Sequence, residues 1–561
     1  MGTAWRSSLK PLSQWSAEQR VFALHNLSCA VTAEESFVDL DLDPESFRRL
    51  GYRVIDMIAE YYRTIRDVPV FPARTSAEVA ATFDEVLPEK GQDANAILDA
   101  WRAKVLPNTT HLGSPRYFGF VNGSGTMMAV LAEALASSVN MNVGAWKAAP
   151  AATEIERRTI AWIAELIGYP TTTSGLFLSG GTMANFTAIL TALRNSANYD
   201  TTQEGLQSTE RRGRFTIYMA DHEGHSSVVR VADMLNLGRE AIRRVPSKDD
   251  FTIDVDALER ILDDDTARGD LPFCVVAQVG SINVGAVDPL QDIARVCAAH
   301  KVWFHADGAC GAVGAILPEK RPLFRGLDKA DSVTLDPHKW LYIPYECGCV
   351  LVRDPEKLRR AFSMTAPYLR GTLPTEYTGL DYLEYGPQMS RGFRALKVWM
   401  TLKHYGVDGY RRSLSQNVRC AEHLDWLVRA SRDFEALHAP TLFIYSFRYA
   451  PEDLRSAAAR SGKDRAAIDA YLDRLNQRIA DEIQLTGVAF VMTTSVRHRT
   501  VLRFSICSHR TTLKDIEVVF QKLRELGERL DHQERAGLRV ENDALVKRFS
   551  GDPRRGGLPA R

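Results

Sequence analysis

Phe273-Cys-Val-Val-Ala-Gln-Val279, then an amphipathic stretch from Leu290 to Ala299, then Val302-Trp-Phe-His-Ala306 follow one another in mid-chain. Two apolar runs of strand length separated by a helical pattern spell a βαβ unit with parallel strands. The rhythm extends in both directions. Gly175-Leu-Phe-Leu178 leads into a helical pattern ending at Arg194, and Phe215-Thr-Ile-Tyr-Met219 leads into one from about Ser226. Ser332-Val-Thr-Leu335 and Gly348-Cys-Val-Leu-Val352 follow downstream. The alternation predicts an α/β fold with a mostly parallel sheet covered by helices. Ligands of such sheets sit beyond the carboxyl ends of the strands, so chemistry is sought in the residues just after each run.

The flanks read differently. Phe47, Leu50, Val54, Ile58 and Tyr61 recur at helical spacing until Pro69 and Pro72, and a second helical stretch runs from Ala94 to Val105. Beyond about residue 400 come a helix, a strand (Thr441 to Phe447), a helix (Ala466 to Gln484), a strand (Val501 to Ile506) and a helix (Leu513 to Leu530), a small α+β unit. The expected division is an N-terminal extension (1–43), a helical segment (44–124), a large domain (125–398), a small C-terminal α+β domain (399–532) and a disordered tail (533–561).

Bulk properties exclude several classes. Lysine plus arginine equals aspartate plus glutamate, 70 each, so no charge excess points to nucleic acid or an anionic membrane. The eight cysteines are scattered, and their spacing is not that of a zinc site. They read as free thiols in a reducing compartment. No apolar run approaches membrane-spanning length. Met1-Gly2 is followed by Arg6, where the myristoylation pattern wants Ser or Thr. A cytoplasmic protein is expected.

Four post-strand sites carry chemistry. In Thr334-Leu-Asp-Pro-His-Lys-Trp340, Lys339 lies just past an apolar strand, where desolvation is expected to lower its pKa and make the amine a nucleophile toward an aldehyde. Alone, the stretch also reads as a loop lysine. Asp307 ends the strand Val302 to Ala306, a costly place for a carboxylate without a charged partner. A protonated pyridine nitrogen is such a partner, and a turn cap is the plainer reading. In Leu178-Ser-Gly-Gly-Thr-Met-Ala-Asn-Phe186 two glycines turn the chain into a helix starting at about Thr182, a weak but suitable phosphate site. In Asp221-His-Glu-Gly-His-Ser-Ser227, His225 suits a position over a planar ring, with Ser226 and Ser227 capping the next helix. A metal on His222 and His225 lacks a matching ligand set.

The order Gly-Gly-Thr, His, Asp, Lys resembles the pyridoxal-phosphate (PLP) dependent group II amino-acid decarboxylases, the aromatic-amino-acid and glutamate decarboxylase group of fold-type I. The resemblance spans roughly residues 44–532. It includes Ser114-Pro-Arg-Tyr-Phe-Gly-Phe120, Pro150-Ala-Ala-Thr-Glu-Ile-Glu156 and Ser390-Arg-Gly-Phe-Arg-Ala-Leu-Lys-Val-Trp399. It implies a mostly parallel seven-stranded sheet with helices on both faces, PLP as cofactor and a homodimer. It further implies that His225 stacks on the pyridine ring, Asp307 pairs with the ring nitrogen and Lys339 carries the internal aldimine. Gly180, Gly181 and Thr182 would hold the phosphate, with Asp336 and His338 nearby.

A decarboxylase must return a proton to Cα after CO2 leaves. In the family a tyrosine on a mobile loop does so, and Ala366-Pro-Tyr-Leu-Arg370 makes Tyr368 the candidate. Phenylalanine there accompanies oxidative deamination in relatives, so tyrosine favours release of the amine. Tyr117, Phe118 and Phe120 suggest an aromatic lining for an aromatic amino acid such as tyrosine, tryptophan or dopa. Asn142, Val143 and Gly144 suggest a wider pocket, and Ile282 stands where relatives commonly have threonine. Arg116 would suit an acidic substrate. Decarboxylation of an acidic or diamino acid, an aromatic aldehyde synthase, an aminotransferase and a catalytically silent scaffold are the alternatives. The presence of Lys339 and Asp307 disfavours the last.

Overall fold

The computed structural model describes residues 40–206, 213–364, 379–460 and 462–549. Tyr368, nearly all of the expected N-terminal extension and the segment from Ser550 onward lie outside them. The chain divides into two units, one comprising residues up to Thr64 together with Phe83–Pro107, the other Ile65–Thr82 together with Asn108 onward.

The second unit holds the expected sheet. Its strands are β1 (Ser174–Leu178), β2 (Phe215–Ala220), β3 (Ile242–Val245), β4 (Leu271–Gln278), β5 (Trp303–Asp307), β6 (Ser332–Leu335) and β7 (Gly348–Val352). Their spatial order is β1-β7-β6-β5-β4-β2-β3. Only β7 runs against its neighbours, β1 and β6, while the other pairs are parallel. A strand antiparallel to both neighbours leaves those neighbours parallel to each other. Six strands therefore end on one edge. Of the seven, β3 was not legible as a strand: Ile242-Arg-Arg-Val245 has no apolar run and occupies the sheet edge, where arginines reach solvent.

Both faces of the sheet are covered, which is why its strands read as continuous apolar runs. Successive side chains of a strand point to opposite faces. Phe177, Val275 and Phe304 pack on one side with Ile160, Leu258 and Ile293 of the helices Pro150–Ile167, Val255–Ala267 and Leu290–His300. Leu176, Leu178 and Val276 pack on the other with Ala188 and Val231 of the helices Gly181–Ser196 and Ser226–Met234.

Two motifs that look unrelated in sequence meet in this core. The carboxylate of Glu156 pairs with the guanidinium of Arg391, both fully buried. Glu156 also accepts the Phe177 N–H at 2.9 Å, and Arg391 donates to the carbonyls of Val143 and Phe177, each at 3.0 Å. These bonds repay part of the desolvation of the two charges, and losing one partner of such a pair costs about 3–5 kcal/mol. The pair fastens the helix Pro150–Ile167 and the segment before the helix Ala395–Ala430 to β1. Asn142, Val143 and Gly144 belong to the same junction: Asn142 accepts the Arg391 N–H at 2.9 Å, and Val143 is fully buried.

Beyond Ala395 the small sheet has the order β10-β11-β9-β8, all antiparallel, from β8 (Phe434–Ala436), β9 (Ile444–Tyr449), β10 (Met492–Val496) and β11 (Arg499–Ser505). Sequence reading finds β9 and β11 only. The β10–β11 turn is made by Arg497 and His498, both at positive φ (49° and 63°), without the Asn-Gly or Asp-Gly pair that usually announces such a hairpin. The long helix Ala395–Ala430 is broken at Gly406, whose φ of 64° few side chains would tolerate. The last helix runs from Leu513 to Phe549, past residue 533, where the polar composition predicts a disordered tail. Leu, Arg, Glu and Lys are good helix formers, so polarity there marks a solvated helix rather than a broken one.

The first unit contains the helices Pro44–Thr64 and Ala94–Ala100, joined by Arg53, which donates to Asn95 Oδ1 at 2.7 Å and to Asp99. None of the residues of these two helices is buried.

Candidate active site

The shared strand edge gathers most of the predicted residues around one cavity of about 180 Å³. Gly181 and Thr182 come from the β1 end, His225 from the loop after β2, and Gln278, Gly280 and Ile282 from the β4 end. Asp307 comes from β5, and Asp336, His338 and Lys339 from the loop after β6.

Gly180 precedes the helix Gly181–Ser196, whose first two residues, Gly181 and Thr182, line the cavity. The turn is crowded: a Cβ on Gly181 would lie 2.7 Å from Asp336 Oδ2. Lys339 sits on the same carboxylate, its Nζ 2.9 Å from Asp336 Oδ2 and 3.7 Å from Cys310 Sγ. Burial pulls the pKa of Lys339 down, but Asp336, with Cys310 and Asp307 behind it, raises it overall. The lowering expected from desolvation is opposed by the carboxylate partner of the amine. His338 accepts the Cys347 N–H at its Nδ1 (3.1 Å) and turns its Nε2 toward Asp336 (3.6 Å). Burial lowers its pKa.

Asp307 is buried and accepts from Asn185 Nδ2 at 2.9 Å and from the Ala309 N–H at 3.2 Å. His225 is itself the cap of the following helix, its Nδ1 accepting the Ser227 N–H at 3.2 Å. That corrects the expectation that Ser226 and Ser227 do the capping. Burial lowers the pKa of His225, with Asp307 opposing.

The aromatic triplet does not join this cavity within the chain. Phe118 is fully buried in the core of the small sheet, stacked on Phe504 at 4.6 Å. Tyr117 is buried against Phe490 at 5.1 Å, with its hydroxyl on Asn122. Phe120 is half exposed. Phe120 stands in a turn at positive φ (47°), and Tyr117 and Phe118 pack into different clusters, so the three side chains do not face one pocket. Arg116 donates to the Arg66 carbonyl at 2.6 Å.

Three residues of the site were missed from sequence: Asn185, Gln278 and Cys310. His305 behind them supplies a signal that was there to read, because it stands two residues before Asp307 and so on the same face of β5. A histidine and an aspartate on one face of an apolar strand need partners. Asn185, a polar residue on an otherwise apolar helix face, is the shared one, with its Oδ1 3.1 Å from His305 Nε2.

Comparison with known proteins bears on the family and the fold. The pyridoxal-dependent decarboxylase conserved domain matches residues 77–450. The chain is 33% identical to an aromatic-L-amino-acid decarboxylase of Bacillus atrophaeus over 87% of its own length and 97% of the relative's. It is 29% identical to tyrosine/DOPA decarboxylase 3 of Papaver somniferum over 86% and 93%. Among solved structures it resembles that of Oryza sativa TDC with PLP and tryptamine, with a TM-score of 0.80, 26% identity, and coverage of 88% of this chain and 100% of that one.

The buried histidine yields a stability test. Burial lowers His305 from 6.5 to about 4, so the folded protein keeps it neutral where the unfolded chain protonates. Between those values the unfolded state binds more protons, and stability falls as pH drops from about 6.5 toward 4. In His305→Gln the decline of Tm across that window is expected to be shallower than in the unsubstituted protein. Equal slopes in thermal melts from pH 7.5 to 4.5 would contradict this.

Proposed function

Because the chain belongs to the pyridoxal-dependent decarboxylase family and is a PLP-dependent carboxy-lyase, we propose that it decarboxylates an aromatic L-amino acid in the cavity at Lys339. The observation that carries the assignment of roles is the convergence of Gly181, His225, Asp307, Asp336 and Lys339 from the ends of four strands, β1, β2, β5 and β6, on one small cavity. The residues present fit the cofactor. Gln278 Nε2 and Asp336 Oδ1 are buried at the cavity without a protein partner, and buried polar atoms of that kind call for a ligand or water. The donor set supplies an amine for an aldehyde, a carboxylate for a pyridine nitrogen and a helix start for a phosphate.

When bound, PLP supplies an electron sink for the pair released as the carboxyl group leaves as CO2. The remaining work belongs to the chain. Lys339 would hold the cofactor covalently through its amine, giving up its contact with Asp336. Asp307 would keep a proton on the ring nitrogen. His225, held neutral by burial, would cover one ring face. Gly180, Gly181 and Thr182 would bind the phosphate through backbone and hydroxyl donors, with Asp336 and His338 beside them. Tyr368, outside the described residues, would return the proton to Cα.

An aromatic substrate is supported by the relatives, which are named for aromatic amino acids. Arg116, the cation suggested for an acidic side chain, is not among the residues that line the cavity. Tyr117 and Phe120 would act near the substrate only from a neighbouring face, and Phe118 only through packing. The free, buried state of the seven described cysteines supports a reducing, cytoplasmic setting. Among the described residues no helix is long and apolar enough to cross a membrane.

A homodimer is supported by apolar surface with no partner in one chain. The helix Met127–Val139 buries Ala129 and Ala132 and leaves Met127, Leu131, Leu135 and Val139, four residues apart, about half exposed. In the first unit Phe47, Tyr52 and Ile55 are likewise exposed. Light scattering is expected to give a dimer, and Leu131→Asp with Leu135→Asp a monomer. A monomeric parent protein would contradict the dimer.

The reaction is tested by incubating PLP-saturated protein with a panel of aromatic, acidic and diamino L-amino acids and identifying the products. Amine and CO2 from an aromatic member, lost to background in Lys339→Ala, is the expected result. Turnover of acidic or diamino members alone would overturn the substrate class. Aldehyde with peroxide and ammonia would overturn simple decarboxylation.

A further inference from the structure

The buried polar groups behind the cavity form a chain with only one consistent set of proton positions. Asn185 Nδ2 lies 2.9 Å from both Asp307 Oδ2 and Ser227 Oγ. An ionised carboxylate only accepts, so the amide nitrogen must face Asp307 and the amide oxygen must face His305 Nε2. His305 therefore carries its proton on Nε2, and its Nδ1 accepts from the Ser332 hydroxyl at 2.8 Å. Ser332 in turn accepts the Trp303 indole N–H at 2.8 Å. On the cavity side, Ser227 takes a hydrogen from Asn185 and gives its own to His225 Nδ1 at 2.7 Å. The Ser227 backbone N–H points at that same nitrogen. His225 Nδ1 thus accepts twice, and its proton resides on Nε2. Donation runs one way, from Trp303 to Asp307 and His225. Asn185, Ser227, His305 and Ser332 are all buried, which strengthens the bonds among them.

We infer that Asn185 is a positioning residue that joins Asp307 and His225 into one hydrogen-bonded unit and fixes the proton on each side of it. The inference rests on the reading of Asp307 and His225 as cofactor partners. One amide serves two groups that approach the cofactor from different strands. Its dipole presents a donor to the carboxylate and, through the Ser227 hydroxyl, reinforces the histidine tautomer that the Ser227 backbone N–H also requires. Neither group can turn without breaking a buried bond, and an unsatisfied buried polar group costs on the order of 1–3 kcal/mol.

The test compares Asn185→Asp with Asn185→Ala. Asn185→Asp keeps the volume but faces Asp307 with an acceptor, while Asn185→Ala removes volume and amide together. PLP affinity is read by absorbance titration of the cofactor-free protein, with kcat and KM measured on the loaded enzyme. The expected order is that Asn185→Asp weakens PLP binding more than Asn185→Ala, by about ten-fold or more against the parent, with kcat falling more than KM rises. The reverse order, with Asn185→Asp close to the parent, would show a space-filling role and overturn the inference. Should Asn185→Asp fail to fold by circular dichroism, Ser227→Ala cuts the His225 branch alone. It is expected to lower kcat while leaving PLP affinity within about two-fold, and unchanged kcat would overturn that branch. Asp307→Asn separates the levels. If it leaves PLP affinity and spectrum untouched, the cofactor reading itself fails. If it alters them while both Asn185 variants do not, only the inference fails.

Discussion

A carboxylate at the end of a strand that is apolar on both faces must be hydrogen-bonded or paired, because leaving it bare in the interior costs more than most single packing contacts return. Asp307 is in that position, and much of the surrounding structure can be traced from the way it is satisfied. Asn185 comes to it from the helix after β1, Ala309 offers a backbone N–H from the following turn, and His305 braces Asn185 from the same strand. The helix after β1 is thereby registered against β5 across the width of the sheet, and its first turn, with Gly180 and Gly181, is brought beside Asp336.

The sheet topology makes the meeting possible. Because β7 alone runs in reverse, β1 ends on the same edge as β2, β4, β5 and β6, so a segment near residue 180 and one near 339 face one cavity. The buried Glu156–Arg391 pair secures the far side of β1, where a tilt of the strand would carry the glycine turn away from Lys339. Lys339 and Asp336 form the one short ion pair inside the cavity among the described residues. That pair sets the Lys339 amine against the same carboxylate oxygen that crowds the glycine turn.

The sequence was most informative where one strand period and one chemical demand coincide. The apolar runs of β1, β2, β4, β5, β6 and β7 are buried on both faces, so their text is unambiguous, and a glycine pair, a histidine, an aspartate or a lysine stands at or just after the ends of β1, β2, β5 and β6. Gly181, His225, Asp307 and Lys339 were legible for that reason. Elements held by context were not. The edge strand β3 carries two arginines, β10 enters a hairpin through Arg497-His498, and the final helix is polar enough to pass for a tail. The aromatic run at Tyr117, Phe118 and Phe120 divides among three surroundings, because composition says nothing of which way each side chain points. Asn185 was hidden by the opposite problem, since its importance lies in residues 42 and 120 positions away that only the fold brings into reach.

Binding of PLP through Lys339 in the cavity at the strand ends is tested by borohydride reduction of the PLP-saturated protein, followed by proteolysis and mass spectrometry of the peptides. A single pyridoxyl-modified peptide is expected, the one containing Asp336-Pro-His-Lys339. A label on another lysine, or a yellow protein that bleaches without any labelled peptide, would contradict it.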